Sequence, residues 1–221
     1  MQLENCILFR DLSKAEIERA LNDEFSKLSK FQKGEKIFTR GEIPKYVYVL
    51  IKGSVRIEKT DLNGKQMIVN DFIENGTVFA EVYAYLDDKL YDYTCVATSD
   101  SEVLSIDKKL FKDVGIDIDL QRKLSYNMIS ILAQKAYYLN QKTMILNSYT
   151  LRQKLANFLI QKFDGYSDIS IEFNREDLAS FLGTTRPSLS RELGNMTADG
   201  LIDLRKNSIR ILDREGLEEL L

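Results

Sequence analysis

Apolar and polar positions follow two different periods along the chain, and the change falls near residue 108. Before it, short runs rich in Val, Ile, Tyr and Phe occupy 35–39, 46–51, 54–59, 66–73 and 93–97. Turn signals separate them: Gly34, Gly41, Gly53, Asn63-Gly64, Asn75-Gly76, Asp87-Asp88 and Ser99-Asp100. Short strands at roughly ten-residue spacing, with no helix pattern between them, predict a β-sandwich or barrel over 31–107. Asn63-Gly64 is the strongest hairpin signal, because both residues tolerate positive φ. Ahead of the strands, 13–28 has helical spacing, opened by a capping box of Ser13 and Glu16.

Past Lys108 the period lengthens. Over 117–147, Leu124, Ile131, Tyr138 and Ile145 recur every seven residues, and Ile118, Leu132, Leu139 and Leu146 fall in an adjoining row. A long helix with two apolar rows needs two covers. One row is expected on the β domain. The other calls for a second copy, since no other long amphipathic helix exists in the chain to cover it. Leu124, Met128, Ile131, Tyr138 and Ile145 are therefore the expected homodimer seam, with burial of both rows inside one chain as the alternative. A further helix over 149–163 carries Leu151, Leu155, Leu159 and Ile160 on one side and ends at Asp164-Gly165.

From Ser170 the pattern is two helices, a turn and a hairpin. Asn174 is a good N-cap for a helix in which Leu178, Ala179 and Leu182 face inward, and Gly183 follows. Thr185 caps a second helix over 186–196, with Pro187 in its first turn, where no backbone donor is needed. The spacing Ala179, Gly183, Leu189 meets the needs of a helix-turn-helix: a small residue at the crossing, a glycine in the turn and a branched residue packing the second helix back. The opposite face of that helix bears Arg186, Ser188, Ser190 and Arg191. Arginine can grip guanine O6 and N7 with two hydrogen bonds, and serine suits a phosphate or a base edge. LIDL, then Arg205, Lys206 and Asn207, then IRIL, predicts a hairpin with a basic tip, a wing placed to touch phosphate. Asp213 then caps a short terminal helix.

Composition narrows the chemistry. The 221 residues are 44% hydrophobic and 29% charged, which is ordinary globular material with room for one large or two small cores. No apolar run approaches the ~20 residues of a membrane span. The start, MQLENCILFRDLSKAEIERAL, lacks the basic flank and apolar core of a signal peptide. With only Cys6 and Cys95 in the chain, a reducing, cytoplasmic setting is expected. There is no histidine. That removes histidine-based catalysis, His-ligated haem and the metal centre of a typical cupin enzyme. No catalytic residue, cofactor or metal is expected. Nor does a net charge of −3 announce a nucleic-acid binder. Over 171–212, however, six basic side chains balance six acidic ones, so the reading face must collect the positive half.

Taken together, FQKGEKIFTRGEIPKYVYVLIKGSVRI, LSYNMISILAQKAYYLNQ, REDLASFLGTTRPSLSRELGNMTADGLI and DREGLEELL make the chain resemble the bacterial catabolite-activator/FNR family of transcription regulators, over essentially its whole length. The resemblance implies an α+β fold. A jelly-roll β-roll sensor of cyclic-nucleotide-binding type would occupy 1–115, a dimerisation helix 116–147 and a winged helix-turn-helix 148–221. It further implies a homodimer on palindromic double-stranded promoter DNA, with RNA polymerase as a partner and no membrane. Thr185, Arg186, Ser188, Ser190, Arg191, Arg205 and Lys206 are the matching DNA-contacting positions. Pro187 stands where many relatives place an acidic base-reader.

The sensor half departs from the family's cyclic-AMP pattern of Gly-Glu followed, ten residues after the glutamate, by Arg-Ser. Here Ala80 precedes Glu81, and Tyr91-Asp92 replaces Arg-Ser. An aspartate at the phosphate position repels the ligand, and no guanidinium remains to offset it. Lys135-Ala136 replaces the small hydroxyls of the helix. Cys6 and Cys95 are too few for an iron–sulfur cluster. The expectation is an effector other than cyclic AMP. Tyr83, Tyr91 and Tyr93 either simply pack the roll or, with Glu81, Asp92 and Lys135, grip an aromatic or carboxylate-bearing molecule. A regulator that needs no effector, or a cyclic-nucleotide-responsive one with an atypical pocket, remains the alternative.

Overall fold

Val47 and Val49 project to one side of a strand, Tyr48 and Leu50 to the other, and all four are buried. A strand with both faces covered is what a layered β-roll requires of its central elements. The computed structural model describes residues 3, 6–22, 24–60, 66–112, 117–163, 169–170, 175–205 and 208–221. Contacts divide the chain into two units, Met1–Gln134 and Lys135–Leu221. The division falls inside the long helix rather than at either of its ends.

The first unit begins with a 3-10 turn, Ile7–Phe9, and helix α1, Lys14–Ala20. The strands follow: β1 (Ser26–Phe31), β2 (Lys36–Phe38), β3 (Tyr46–Lys52), β4 (Val55–Thr60), β5 (Gln66–Phe72) and β6 (Val78–Phe79). After a 3-10 turn at Glu81–Ala84 come β7 (Thr94–Ala97), β8 (Ser101–Asp107) and the short helix α2 (Lys109–Lys112). The strands form two antiparallel sheets, ordered β1-β8-β3-β6 and β2-β7-β4-β5. Phe38, Tyr48, Leu50, Val55, Phe79, Tyr83, Tyr91, Cys95 and Val103 cluster in one core. Val47, Val49, Leu104 and Ile106, on the other face of the first sheet, join Leu8, Phe9, Ala20, Leu110 and Phe111 in a second.

The expected capping box is present: Ser13 Oγ accepts from the Glu16 N–H, and the Glu16 carboxylate accepts from the Ser13 N–H at 2.7 Å. The helix is shorter than 13–28, however. It ends at Ala20, and the Phe25 and Ser26 N–H groups both donate to the Asn22 carbonyl. From Ser26 the chain pairs with β8. Sheet pairing thus takes over a segment whose spacing alone reads as helix. The Asn63-Gly64 turn lies outside the described residues, although β4 and β5 do pair antiparallel on either side of it.

Helix α3 runs over Ile118–Leu146. Its Leu120, Leu124, Met128 and Ile131 lie in the core of the first unit, while Ile145 lies in the core of the second. This corrects the expected seam. Leu124 and Met128 are 0% exposed within one chain, so neither has surface left for a second copy. Tyr138 is half exposed. The outward apolar row is instead Ile118, Tyr126, Ile129, Tyr137 and Met144, each more than half exposed. Buried Asn127 donates to the carbonyls of Leu8 and Arg10, tying the N-terminal segment to α3.

The second unit continues with α4 (Leu151–Lys162), β9 (Ile169–Ser170), α5 (Arg175–Phe181), α6 (Arg186–Ala198), β10 (Ile202–Leu204), β11 (Ser208–Ile211) and α7 (Arg214–Glu218). Its sheet has the order β10-β11-β9. Asp213 caps α7 as expected, accepting from the Gly216 N–H at 2.9 Å. Asn174 and Asp164-Gly165 lie outside the described residues. No helix of the described residues is long and apolar enough to cross a membrane.

Candidate functional site

The turn between α5 and α6 is built from backbone bonds. Gly183 takes φ +64, Thr184 N–H reaches the Ala179 carbonyl at 2.9 Å, and Gly183 N–H reaches Ser180 at 3.1 Å. That pair of bonds is a Schellman closure, and its left-handed residue favours glycine. Two residues on, Thr185 Oγ1 accepts from the Ser188 N–H at 3.4 Å and lies 3.0 Å from Ser188 Oγ. Leu189, Leu193 and Met196 then bury one side of α6 among Leu178, Ala179 and Leu182. The helix is held by its turn, its cap and its core face, leaving the other side free to read.

On that side Thr185, Arg186, Ser188, Ser190 and Arg191 are all exposed. Arg186 lies 3.6 Å from Glu176, in a pair so exposed that a phosphate could replace the carboxylate at little cost. Arg191 has no ion-pair partner among the described residues. Asn195, one turn further along, is also exposed and was not singled out by the sequence pattern. Its i+4 spacing from Arg191 is the signal that would have found it.

Arg152 on α4 is the larger omission. Its guanidinium meets Glu192 at 3.0 Å and also pairs with Asp199, at the far end of α6. Glu192 on α6 and Asp199 at its C-cap are thereby held and neutralised by one arginine. The wing forms as expected between β10 and β11, with the Arg205 N–H donating to Ser208 O at 2.9 Å and Arg205 Nε 3.1 Å from Asp203. Lys206 lies outside the described residues.

In the first unit, the residues expected to line an effector pocket lie around stacked rings. Tyr91 stacks on Phe38 at 4.1 Å between centroids, meets Tyr83 edge-on at 5.0 Å, and Tyr48 stacks on Phe79 at 5.3 Å. Tyr83 Oη donates to Asp92 at 3.2 Å and accepts from the Asp92 N–H at 3.1 Å. Glu81 is buried, Tyr93 half-buried and Asp92 exposed. Lys135, half-buried on α3, belongs to the other unit. Ala80 adopts φ +57, a left-handed conformation that costs a non-glycine residue about 1 kcal/mol.

Burial pushes the phenols of Tyr48 and Tyr83 up and that of Tyr91 up to about 12. All three stay protonated at neutral pH, as hydrogen-bond donors rather than anions. Tyr91 Oη is buried beside the Tyr48 phenol and finds no well-directed partner among the described residues. Burial likewise raises both thiols. Cys6 and Cys95 sit in different cores, and neither is placed to act as a reactive thiolate. The described residues hold no group of three or more acidic or cysteine side chains that could bind a metal.

Two family models match the chain: the cyclic nucleotide-binding domain over residues 28–115 and the Crp-like helix-turn-helix domain over residues 153–220. Among curated proteins, the chain is 23% identical to the cyclic AMP receptor protein of Thermus thermophilus, over 96% of this chain and 95% of that one. It is 24% identical to the global nitrogen regulator of Synechococcus elongatus, over 87% and 88%. The crystal structure of the Thermus thermophilus catabolite activator protein superposes with a TM-score of 0.54 at 22% identity, covering 97% of each chain.

Proposed function

Because the chain belongs to the catabolite-activator/FNR family of transcription regulators, we propose that it reads a palindromic promoter site as a homodimer, with no cyclic nucleotide in its roll. One observation carries the reading: α6 is buttressed on one side and bears Thr185, Arg186, Ser188, Ser190 and Arg191 on the other. Arg191 and Arg186 reach base edges in the major groove. Thr185, Ser188 and Ser190 position the helix on phosphate, and Arg205 with Lys206 hold the adjacent backbone. RNA polymerase is the expected partner and the cytoplasm the expected setting. The work is recognition, not catalysis.

A dimer is supported by the outward row of α3, whose Ile118, Tyr126, Ile129, Tyr137 and Met144 follow the spacing of a helix–helix seam. Two recognition helices must lie about 34 Å apart to enter successive major grooves on one face of DNA. The break between α3 and α4 at Asn147-Ser148 is where their relation could be adjusted, and any effector that favours one arrangement would bind reciprocally with DNA.

The Thermus relative is named for cyclic AMP. Against that ligand here stand Asp92 at the phosphate position and Tyr91 stacked on Phe38 inside the roll. This packing supports a roll occupied by its own side chains. The buried Tyr91 hydroxyl favours a second reading, an aromatic or carboxylate effector held by Glu81, Tyr83, Tyr91, Asp92 and Tyr93.

The test is selection of bound DNA from a random pool by the wild type and Arg191→Ala. The variant is expected to keep its dimer and lose roughly 10- to 100-fold in specific affinity, the worth of a bidentate arginine–guanine contact. Unchanged selection of the same sequence would place the reading helix elsewhere.

A further inference from the structure

A cleft of about 200 Å³ lies within the second unit, walled by Tyr137, Tyr138 and Ile145 of α3, Phe158 of α4 and Phe181 at the end of α5. Phe181 touches two of the other walls. The ring meets Phe158 edge-on at 5.6 Å and Tyr138 at 6.0 Å, and Lys142 Nζ sits 5.3 Å from its centroid. Gln141, Gln161 and Lys162 complete the lining, which contains no carboxylate. Lys162 is exposed and has no ion pair among the described residues. The sensor residues of the roll have no part in this cleft.

The shape and charge of the cleft define what it takes. Apolar cavities of about 150 Å³ accept a single benzene ring, whereas drug-sized ligands need about 300 Å³ or more. Four aromatic walls favour a flat ring, stacked or edge-on. A lysine and two amides, with no acid to repel an anion, favour a negative end. We propose that this cleft binds a small aromatic carboxylate, its ring among Tyr138, Phe158 and Phe181 and its carboxylate at Lys162. Phe181 ends α5, the first helix of the helix-turn-helix, so occupancy bears on the element that supports α6. The binding claim itself does not depend on the DNA reading and is tested without DNA.

The experiment titrates the full chain with benzoate and, separately, with uncharged benzamide by calorimetry. A parallel titration uses Tyr138→Trp, whose indole is the only tryptophan in the protein and reports on the wall directly. Benzoate is expected to bind at about 1 mM or tighter and at least about 5-fold more tightly than benzamide, with Lys162→Gln levelling the two. Lys162 is exposed, so that variant keeps the fold. Phe181→Leu, checked for an unchanged melt, is expected to abolish both. The proposal fails if neither probe binds at about 10 mM, or if benzoate binds equally well after Lys162→Gln. It also fails if the indole emission is unmoved by benzoate at a protein concentration where the mass in sedimentation is constant.

Discussion

Arg152 of α4 and Glu192 of α6 meet at 3.0 Å, and the same guanidinium also takes Asp199, seven residues further along, at the helix end. The pair does two things at once. It fastens α6 to α4, and it cancels negative charge on the helix that presents Arg186 and Arg191. Arg152→Met would leave both carboxylates unbalanced. The melt should drop by only about 1 kcal/mol, as for a partly exposed network. Affinity for any DNA duplex should fall by roughly 3- to 10-fold, with the loss shrinking as salt screens the two freed charges. Affinity measured across a salt series distinguishes this from simple loosening, which would persist at high salt.

Gly53 turns β3 into β4 at φ +94, and a Cβ there would come within 2.5 Å of the Asp100 carbonyl and 2.7 Å of Ser101 Cα. Ser101 is buried and donates toward the carbonyls of Ser54 and Ser99, so the backbone has nowhere to retreat. Gly34 has nearly the same φ, +92, but open space around it. Gly34→Ala should therefore cost about 1 kcal/mol from backbone strain alone. Gly53→Ala should cost about 2–3 kcal/mol, because overpacking adds to the strain. Urea unfolding of the two variants side by side separates the contributions. Equal losses would refute the close approach.

The helix-turn-helix was legible because its constraints are local: Ala179, Gly183 and Leu189 each answer a requirement a few residues away. The wing and the Ser13–Glu16 and Asp213 caps were readable for the same reason. Arg152 was not, since nothing near it in sequence foretells carboxylates 40 residues on. Strand β8, central in its sheet, was hidden by the composition SEVLSID, in which Ser101 and Ser105 are buried beside Val103, Leu104 and Ile106. Tyr83, Tyr91 and Tyr93 of the expected pocket do lie in or against one apolar cluster. Period-two alternation could not say that Tyr91, in the loop before β7, would stack on Phe38 of β2.

The long helix shows a different limit. Its heptad spacing announced two apolar rows but not which of them the chain covers itself. Leu124 and Met128 go inside, whereas Ile129, next along, is 62% exposed. Ile129→Asp should leave the melt of the single chain within about 0.5 kcal/mol, as surface changes do, while shifting the mass in sedimentation from two chains to one. Met128→Asp would bury a charge in the first unit's core and should unfold it. A dimer that survives Ile129→Asp would put the seam on another surface.

Glu16 joins three donors: Lys123 Nζ at 2.8 Å, Ser13 Oγ at 2.8 Å and the Ser13 N–H at 2.7 Å. The lysine bond, ahead of the two serine bonds, lowers its carboxyl from an ordinary 4.5 to about 2. A carboxyl with a depressed folded pKa binds its proton more readily in the unfolded chain. Its contribution is therefore complete above about pH 4.5 and is lost as the pH falls toward 2. Glu16→Gln should melt below the wild type at pH 7, and the gap should close progressively between about pH 4.5 and 2. In Lys123→Met the main stabilising bond is gone, so carboxyl resonances followed by NMR should show Glu16 titrating closer to an ordinary glutamate. A gap between wild type and Glu16→Gln that stays constant through the acid range would mean that the capping geometry, not the charge, ties α1 to α3.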